Sequence, residues 1–447
     1  MPRRNLYLIL VVCIASAFCY RKADSAHRSR YGRMFDTFVE ILEEVEKNYV
    51  EVVDERKLFE GSLDGLVGQL DENSAFLDAS ETTRQRQSLE QKFVGIGIEV
   101  TEDRETGAVT VVTPLVGSPA LEAGVLAGDI ILAINGDELI GLRLDDAVKK
   151  LRGRPGESVR IKVLHVGDTE PVELTIRRNE IKVDVVLGDR RRADGSWEFL
   201  LPGNDKVGYV RLSNFGERTT IELENTIKQL REQGARGLIL DLRNNGGGLL
   251  EEAVAICSLF VKQGRIVTVR GRNKIVMSAR DAVGVAPYAD LPLVVLINER
   301  SASASEIVAA CLQDYQQATI VGSRSFGKGT VQELRTLEDG RSLLKLTIAT
   351  YWRPSDKNIH RARNATEEGE WGVTPDTGFL VELKGDKLRE VNQARRALDL
   401  PKLKNAKGGD PAKGADDKPS LADPQRDKAI EAIKLRIQGT PPAVANG

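Results

Sequence analysis

Ser303 stands where an apolar run, PLVVLIN, gives way to a Ser/Ala turn and then to the helical pattern ASEIVAACLQ. A serine at a strand-to-helix turn points out at the end of a sheet, where open α/β sheets place their ligands. The Ala304 N–H then lies at a helix N-terminus, whose partial positive charge favours an oxyanion. The same spacing has a plainer use: Ser303-x-x-Glu306 fits a capping box, with the serine capping the helix and the glutamate reaching back. A nucleophilic serine also needs a base. The chain has 3 histidines, His27, His165 and His360. His27 sits beside an apolar N-terminal run and His165 in a β-rich region. His360 follows a Pro-containing segment without an obvious orienting carboxylate, so a Ser-His-Asp arrangement is poorly supplied and rests on His360 alone. Lysine is the other base. Its ordinary pKa of about 10.4 keeps it protonated at pH 7, and burial lowers that value. A drop of about three units corresponds to about 4 kcal/mol, so such a lysine belongs in an enclosed, apolar place. Lys328 lies in IVGSRSFGKGTVQEL, flanked by glycines that let the chain turn sharply and by Phe326 and Val331. As structure alone, it is a surface-loop lysine.

The stretch GLILDLRNNGGGLLEEAVAI supplies a third part. A strand runs to Leu242, and Gly246, Gly247 and Gly248 turn the chain into a helix. Glycines there allow close backbone approach and expose N–H groups. Read as structure, this is a tight turn; read as chemistry, the Gly248 N–H is a second oxyanion donor beside Ala304. Two such donors are usually the largest catalytic contribution in acyl transfer. A rival motif is weak. Gly322-x-x-x-x-Gly327-Lys328-Gly329 falls short of a phosphate-binding P-loop, which needs Ser or Thr at 329 and a helix beyond it. Here TVQELRTLEDGRSLLKL reads as strands and a turn. No metal, nucleotide or other cofactor is implied.

These residues need an α/β scaffold. Across residues 181–400, strand-like runs VGYVRL, GLILDLR, PLVVLIN and ATIVG alternate with helical runs at 219–233, 250–262 and 304–317, which argues largely parallel strands. LLKLTIATYW reads as an added antiparallel strand. Residues 93–180 differ: short apolar stretches alternate with Gly- and Pro-rich turns, and a second helix follows at 144–152, the order of a small β-barrel capped by helices. Residues 27–92 carry apolar residues at helical spacing, for packing or as a dimerisation arm. Residues 401–447, rich in Lys, Asp, Ala, Pro and Gly, are expected to be mostly disordered, with a short helix near 427–437.

The chain has 447 residues, is 41% hydrophobic and 29% charged, and has a formal net charge of -2. That suits two or three globular domains and argues against nucleic acid as the main partner. At the N-terminus, Arg3 and Arg4 precede an apolar run from Leu6 to Tyr20, with Arg21 and Lys22 after it. The run is shorter than a comfortable membrane span and suits a signal peptide, with Ala15-Ser16-Ala17 as a small-x-small cleavage site. A retained signal-anchor in residues 1–26, attaching the chain to an inner membrane, is the alternative. Cys257 and Cys311 read as two buried thiols, although an exported location permits a disulfide.

Taken together, RSASASE, FGKGTVQ and DLRNNGGG, with the barrel module placed before them, resemble the carboxy-terminal processing proteases over roughly residues 30–380. The resemblance implies an α/β fold with a ClpP/crotonase-like spiral of ββα units, an inserted PDZ β-barrel and a helical N-terminal segment. It implies an exported, periplasmic or extracytoplasmic serine endopeptidase that cleaves proteins near their C-termini through an acyl-enzyme. Ser303 would be the nucleophile and Lys328 the base, with Gln332 orienting the lysine and Ala304 and Gly248 forming the oxyanion hole. Gly95, Ile96, Gly97 and Ile98 correspond to the PDZ carboxylate-binding loop, and protein tails would pair with the adjacent strand. A homodimer or higher oligomer is expected, and the PDZ module is expected to gate access. The sequence departs from the family pattern after LTIATYW: Arg353-Pro354-Ser355-Asp356-Lys357-Asn358 replaces the usual turn, and a polar insert, RARNATEEGEWG, follows. That insert is expected to stay clear of the serine and lysine. A non-catalytic PDZ adaptor that binds protein tails is the alternative from another class, and a crotonase-like acyl-transfer enzyme a third.

Overall fold

The computed structural model describes residues 32–439 except 80, 83–91, 104–105, 140, 183, 193, 204–205 and 400–422, together with residues 12 and 14–16. Most of the proposed signal segment therefore lies outside the described residues. The chain divides into two compact units, residues 1–76 and 77–447.

In the first unit, α1 (Gly32–Asn48) and α2 (Glu55–Gly68) follow from their amphipathic repeats. Asp54 caps α2 by accepting the Lys57 N–H at 3.2 Å. Met34, Phe35 and Leu66 are exposed within this unit.

The second unit opens with β1 (Lys92–Gly95), which pairs antiparallel with β7 (Asn179–Lys182). Between them lies a barrel-like sheet: β2 (Ile98–Glu102), β3 (Val109–Pro114), β4 (Ile130–Ile134), β5 (Ser158–Leu164) and β6 (Val172–Arg177), hydrogen-bonded in that order. Two helices cap it, α3 (Pro119–Glu122) and α4 (Leu144–Leu151). Alternation drives the sheet: in SVRIKVL every second residue is buried. β2 pairs only with β3, so it is an edge.

A second sheet carries β8 (Val207–Leu212), β9 (Gly237–Asp241), β12 (Leu293–Ile297) and β13 (Ala318–Gly322), all parallel and adjacent in chain order. β9, β12 and β13 are buried at every position, as expected of parallel strands covered on both faces. One face packs Leu238, Leu240, Val295 and Ile320 against α5 (Thr219–Glu232), α6 (Leu250–Ser258) and α7 (Ala304–Asp314). Alternate residues, Tyr209, Ile239, Val294 and Leu296, form a second core with Ala429, Ala432 and Ile433 of a C-terminal helix (Pro424–Ile437). The tail thus supplies a docked helix that closes a whole sheet face. Composition hid this, because small Ala residues spaced for one helix face bury well while lowering the apparent hydrophobicity.

A third sheet packs against α6 and α7. β10 (Arg265–Arg270) pairs with β11 (Val276–Asp281), and β14 (Thr330–Leu337) with β15 (Ser342–Trp352), which also pairs with β10; all three pairings are antiparallel. A strand, not a helix, follows Gly329, so the P-loop resemblance has no structural counterpart. α8 (Gly385–Asp399) precedes the C-terminal helix, α9 hereafter.

Candidate active site

The parallel sheet delivers two turns to the same end. β9 leads into residues 242–249 before α6, and β12 leads into residues 298–303 before α7. Side chains fasten these turns together. The Asn245 carbonyl accepts the Ala302 N–H at 3.0 Å and the Ser305 hydroxyl at 2.9 Å. The Asn244 N–H donates to Asn298 Oδ1 at 2.9 Å, and Asn298 Nδ2 donates back to Asn244 Oδ1 at 3.0 Å. The Ser301 hydroxyl donates to the Leu242 carbonyl at 2.8 Å. Gly247 lies so near that a Cβ there would stand 2.8 Å from Ser303 Cβ and 2.9 Å from the Ala304 nitrogen. Gly248, at φ +153°, leaves no room either: its Cβ would meet the Phe215 carbonyl oxygen at 2.2 Å. The N–H groups of Gly248 and Ala304 are committed to no backbone acceptor among the described residues. Both are thus available to an oxyanion.

Ser303 is half-buried and has φ 56° and ψ -114°, a region that favours glycine. The capping-box arrangement is present, but its hydrogen bond of ordinary geometry comes from the glutamate side: Glu306 Oε2 accepts the Ser303 N–H at 2.8 Å.

Glu306 does more than cap. It is fully buried, and Oε2 also accepts the Lys328 N–H at 2.9 Å, while Oε1 accepts the Gly327 N–H at 2.7 Å and the Ser325 hydroxyl at 2.6 Å. Burial pushes its carboxyl up to about 7, against the pull of these donors. One carboxylate oxygen therefore joins the main chain of Ser303 to that of Lys328. The capping spacing was visible in sequence, but the partners on residues 325–328 were not.

Lys328 is half-buried, and its amine titrates below the ordinary lysine value. Burial is the main cause, the Lys345 charge adds to it, and Glu306 opposes. Among the described residues no hydrogen bond or ion pair joins the Lys328 amine to another group, the Ser303 hydroxyl included. The Gln332 amide does not bond the lysine: it donates to the hydroxyls of Thr330 at 2.8 Å and Thr347 at 3.2 Å. Two hydroxyls on the same small sheet compete for that amide.

The insert after β15 reaches the loop that carries the lysine, through contacts with Gly327. The Arg361 N–H donates to the Gly327 carbonyl at 2.9 Å. A Cβ on Gly329 would meet the His360 nitrogen at 2.2 Å, and one on Gly327 would meet the Trp371 ring at 2.8 Å. His360 therefore lies beside the lysine loop through its backbone. Its N–H donates to Asn358 Oδ1 at 2.9 Å.

In the barrel, the carbonyls of Ile96 and Gly97 accept the N–H groups of Ala120 and Leu115, each at 2.9 Å. Gly97 has φ +79°, and a Cβ there would lie 2.4 Å from Ser118 Cβ. This fixes residues 95–98 against α3 at the start of the edge strand β2. Cys257 and Cys311 are both buried free thiols. Among the described residues no cluster of His, Cys, Asp or Glu is able to hold a metal ion.

A barrel with an open edge strand, joined to an α/β core that brings together a serine, a lysine and two N–H donors with no backbone acceptor among the described residues, is the plan of a PDZ-bearing serine peptidase. Residues 206–378 match peptidase family S41 and residues 110–165 match the PDZ domain. The carboxy-terminal-processing protease of Bartonella bacilliformis is 38% identical over 343 residues, 76% of this chain and 73% of that protein. The carboxyl-terminal-processing protease of Synechocystis is 41% identical over 314 residues, 68% of each chain. Among solved structures, a photosystem II D1 C-terminal processing protease is 31% identical with a TM-score of 0.43, covering 80% of this chain and 90% of its own. The chain belongs to the carboxy-terminal processing protease family and is a serine-type peptidase.

Proposed function

We propose that the chain cleaves exported proteins near their C-termini with Ser303 as nucleophile and Lys328 as general base. The Ser303 hydroxyl attacks the scissile carbonyl while its proton passes to the lysine amine. The N–H groups of Gly248 and Ala304 take the developing oxyanion. The C–N bond then breaks, the leaving amine recovers the proton, and water hydrolyses the Ser303 ester with the lysine again as base. The observation that carries this reading is the shared Glu306 Oε2, which joins Ser303 to Lys328 through their backbones.

In the arrangement described, the amine is not bonded to the hydroxyl, so attack requires the Lys328 side chain to turn towards Ser303. Gln332 would orient it only after leaving its threonine partners. Tail binding at residues 95–98 and along β2 is the proposed trigger, the substrate carboxylate sitting on the loop N–H groups. The α/β core is proposed to follow the ClpP/crotonase-like spiral. The basic-flanked N-terminal segment is proposed to direct the chain out of the cytoplasm. Assembly into a homodimer or larger oligomer is part of the same proposal.

The test compares peptide cleavage by Ser303→Ala, Lys328→Ala and His360→Ala proteins. The first two are expected to be inactive and the third active. Loss of turnover in His360→Ala alone would transfer the base to the histidine and overturn the dyad.

A further inference from the structure

The insert that departs from the family pattern contacts the Lys328 loop, and the contact is built rather than incidental. From inside, Glu306 accepts the Ser325 hydroxyl and the N–H groups of Gly327 and Lys328. From outside, the Arg361 N–H donates to the Gly327 carbonyl, and Val373 exchanges two hydrogen bonds with Ser325: its N–H donates to Ser325 Oγ at 2.7 Å, and its carbonyl accepts the Ser325 N–H at 3.0 Å.

Trp371 anchors this outer side. It is 6% exposed. Its ring lies between two guanidinium groups, Arg324 at 3.7 Å and Arg361 at 4.3 Å from its centroid, a stacking that planar guanidinium favours. Its indole N–H donates to the Thr366 carbonyl at 2.9 Å. Arg324, on the lysine's own loop, also donates to the carbonyls of Trp371, Glu367 and Gly369. The ring edge then fills the space that a side chain on Gly327 would need.

We infer that Trp371, gripped by Arg324 and Arg361, is a positioning residue for Lys328: it fixes residues 325–329 from the outside as Glu306 does from the inside. This rests on Lys328 being the base. A loosened loop misplaces the amine and lets water reach it, so the chemical step slows and the lysine titrates nearer its ordinary value.

The test is steady-state peptide cleavage across pH by the full chain and its Trp371→Ala, Trp371→Phe and Lys328→Ala variants. Trp371→Ala is expected to lower kcat by about tenfold or more with KM within about twofold. The acid limb of its kcat profile is expected to move to higher pH, and Trp371→Phe to restore most of both. If Trp371→Ala does not fold, Arg361→Ala, which strips one face of the ring at a partly exposed position, is expected to change kcat and the limb in the same directions. Wild-type kcat and an unmoved limb in the folded variant, with Lys328→Ala inactive, would overturn this inference alone. Turnover that survives Lys328→Ala would overturn both it and the dyad.

Discussion

At Glu306, three backbone N–H groups and one hydroxyl meet a single carboxylate that water does not reach. Its folded value of about 7 stands above the ordinary 4.5. A carboxyl raised in this way binds its proton more tightly folded than unfolded. Its contribution to stability is therefore fully present below about pH 4.5 and is lost as pH rises to about 7. Denaturation midpoints taken across that window should fall with rising pH in the wild-type protein and lose this component in Glu306→Gln. An unchanged slope in the variant would show that Glu306 does not titrate there. Ser303, Lys328, Ala304 and Gly248 stand out as candidates in sequence because each sits at a local break from apolar strand to glycine or small residue. The second role of Glu306 was not, since its partners belong to a segment brought near only by β13. Nor was the bonding of Gln332, because nothing in a linear pattern shows which threonines will flank an amide.

The glycine turn after β9 works as a joint between two strand–helix connections. Asn245 holds it to the turn that carries Ser303, and Gly247 touches Ser303 without a side chain between them. A methyl group at 247 would push against Ser303 Cβ and the Ala304 nitrogen together, at φ +100°, where any side chain is disfavoured. Gly247→Ala is expected to cut covalent labelling of Ser303 by a fluorophosphonate at least about a hundredfold, read as labelling rate by mass spectrometry. Labelling at the wild-type rate would mean the turn yields without disturbing the serine. The polar insert shows the limit of reading elements from composition. Its run of Arg, Asn and Glu has no periodicity, and a single tryptophan carries its packing. Much of its contact with residues 327 and 329 is made by backbone, which side-chain pattern does not reveal.

For the molecule as a whole, α9 ties the far end of the chain to the catalytic core. Asp423 receives Arg243 Nη1 at 3.0 Å and Nη2 at 2.9 Å, and Arg243 also bonds Asp241. Arg243 belongs to the same turn that carries Gly248. Ala429, Ala432 and Ile433 meanwhile cover the sheet face opposite α5, α6 and α7. Removing Asp423 leaves a buried guanidinium with Asp241 as its remaining carboxylate partner, so Asp423→Ala is expected to lose about 2 kcal/mol, measured by urea denaturation. A change near zero would show that α9 is a passive appendage. The parallel sheet itself was readable from its unbroken apolar runs, but what covers its second face was not. A parallel strand buried on both sides announces two partners without naming them.

Under the proposed dyad, the backbone of Ser303, at φ 56° and ψ -114°, puts catalysis and durability in tension. That conformation costs a residue bearing a Cβ on the order of 1–3 kcal/mol, and glycine escapes it. The Ser303→Gly protein should therefore melt above Ser303→Ala although both lack the hydroxyl. With Ser303 as the proposed nucleophile, inactive descendants of this chain have a thermodynamic reward waiting for them at a position where the working enzyme is unable to accept it.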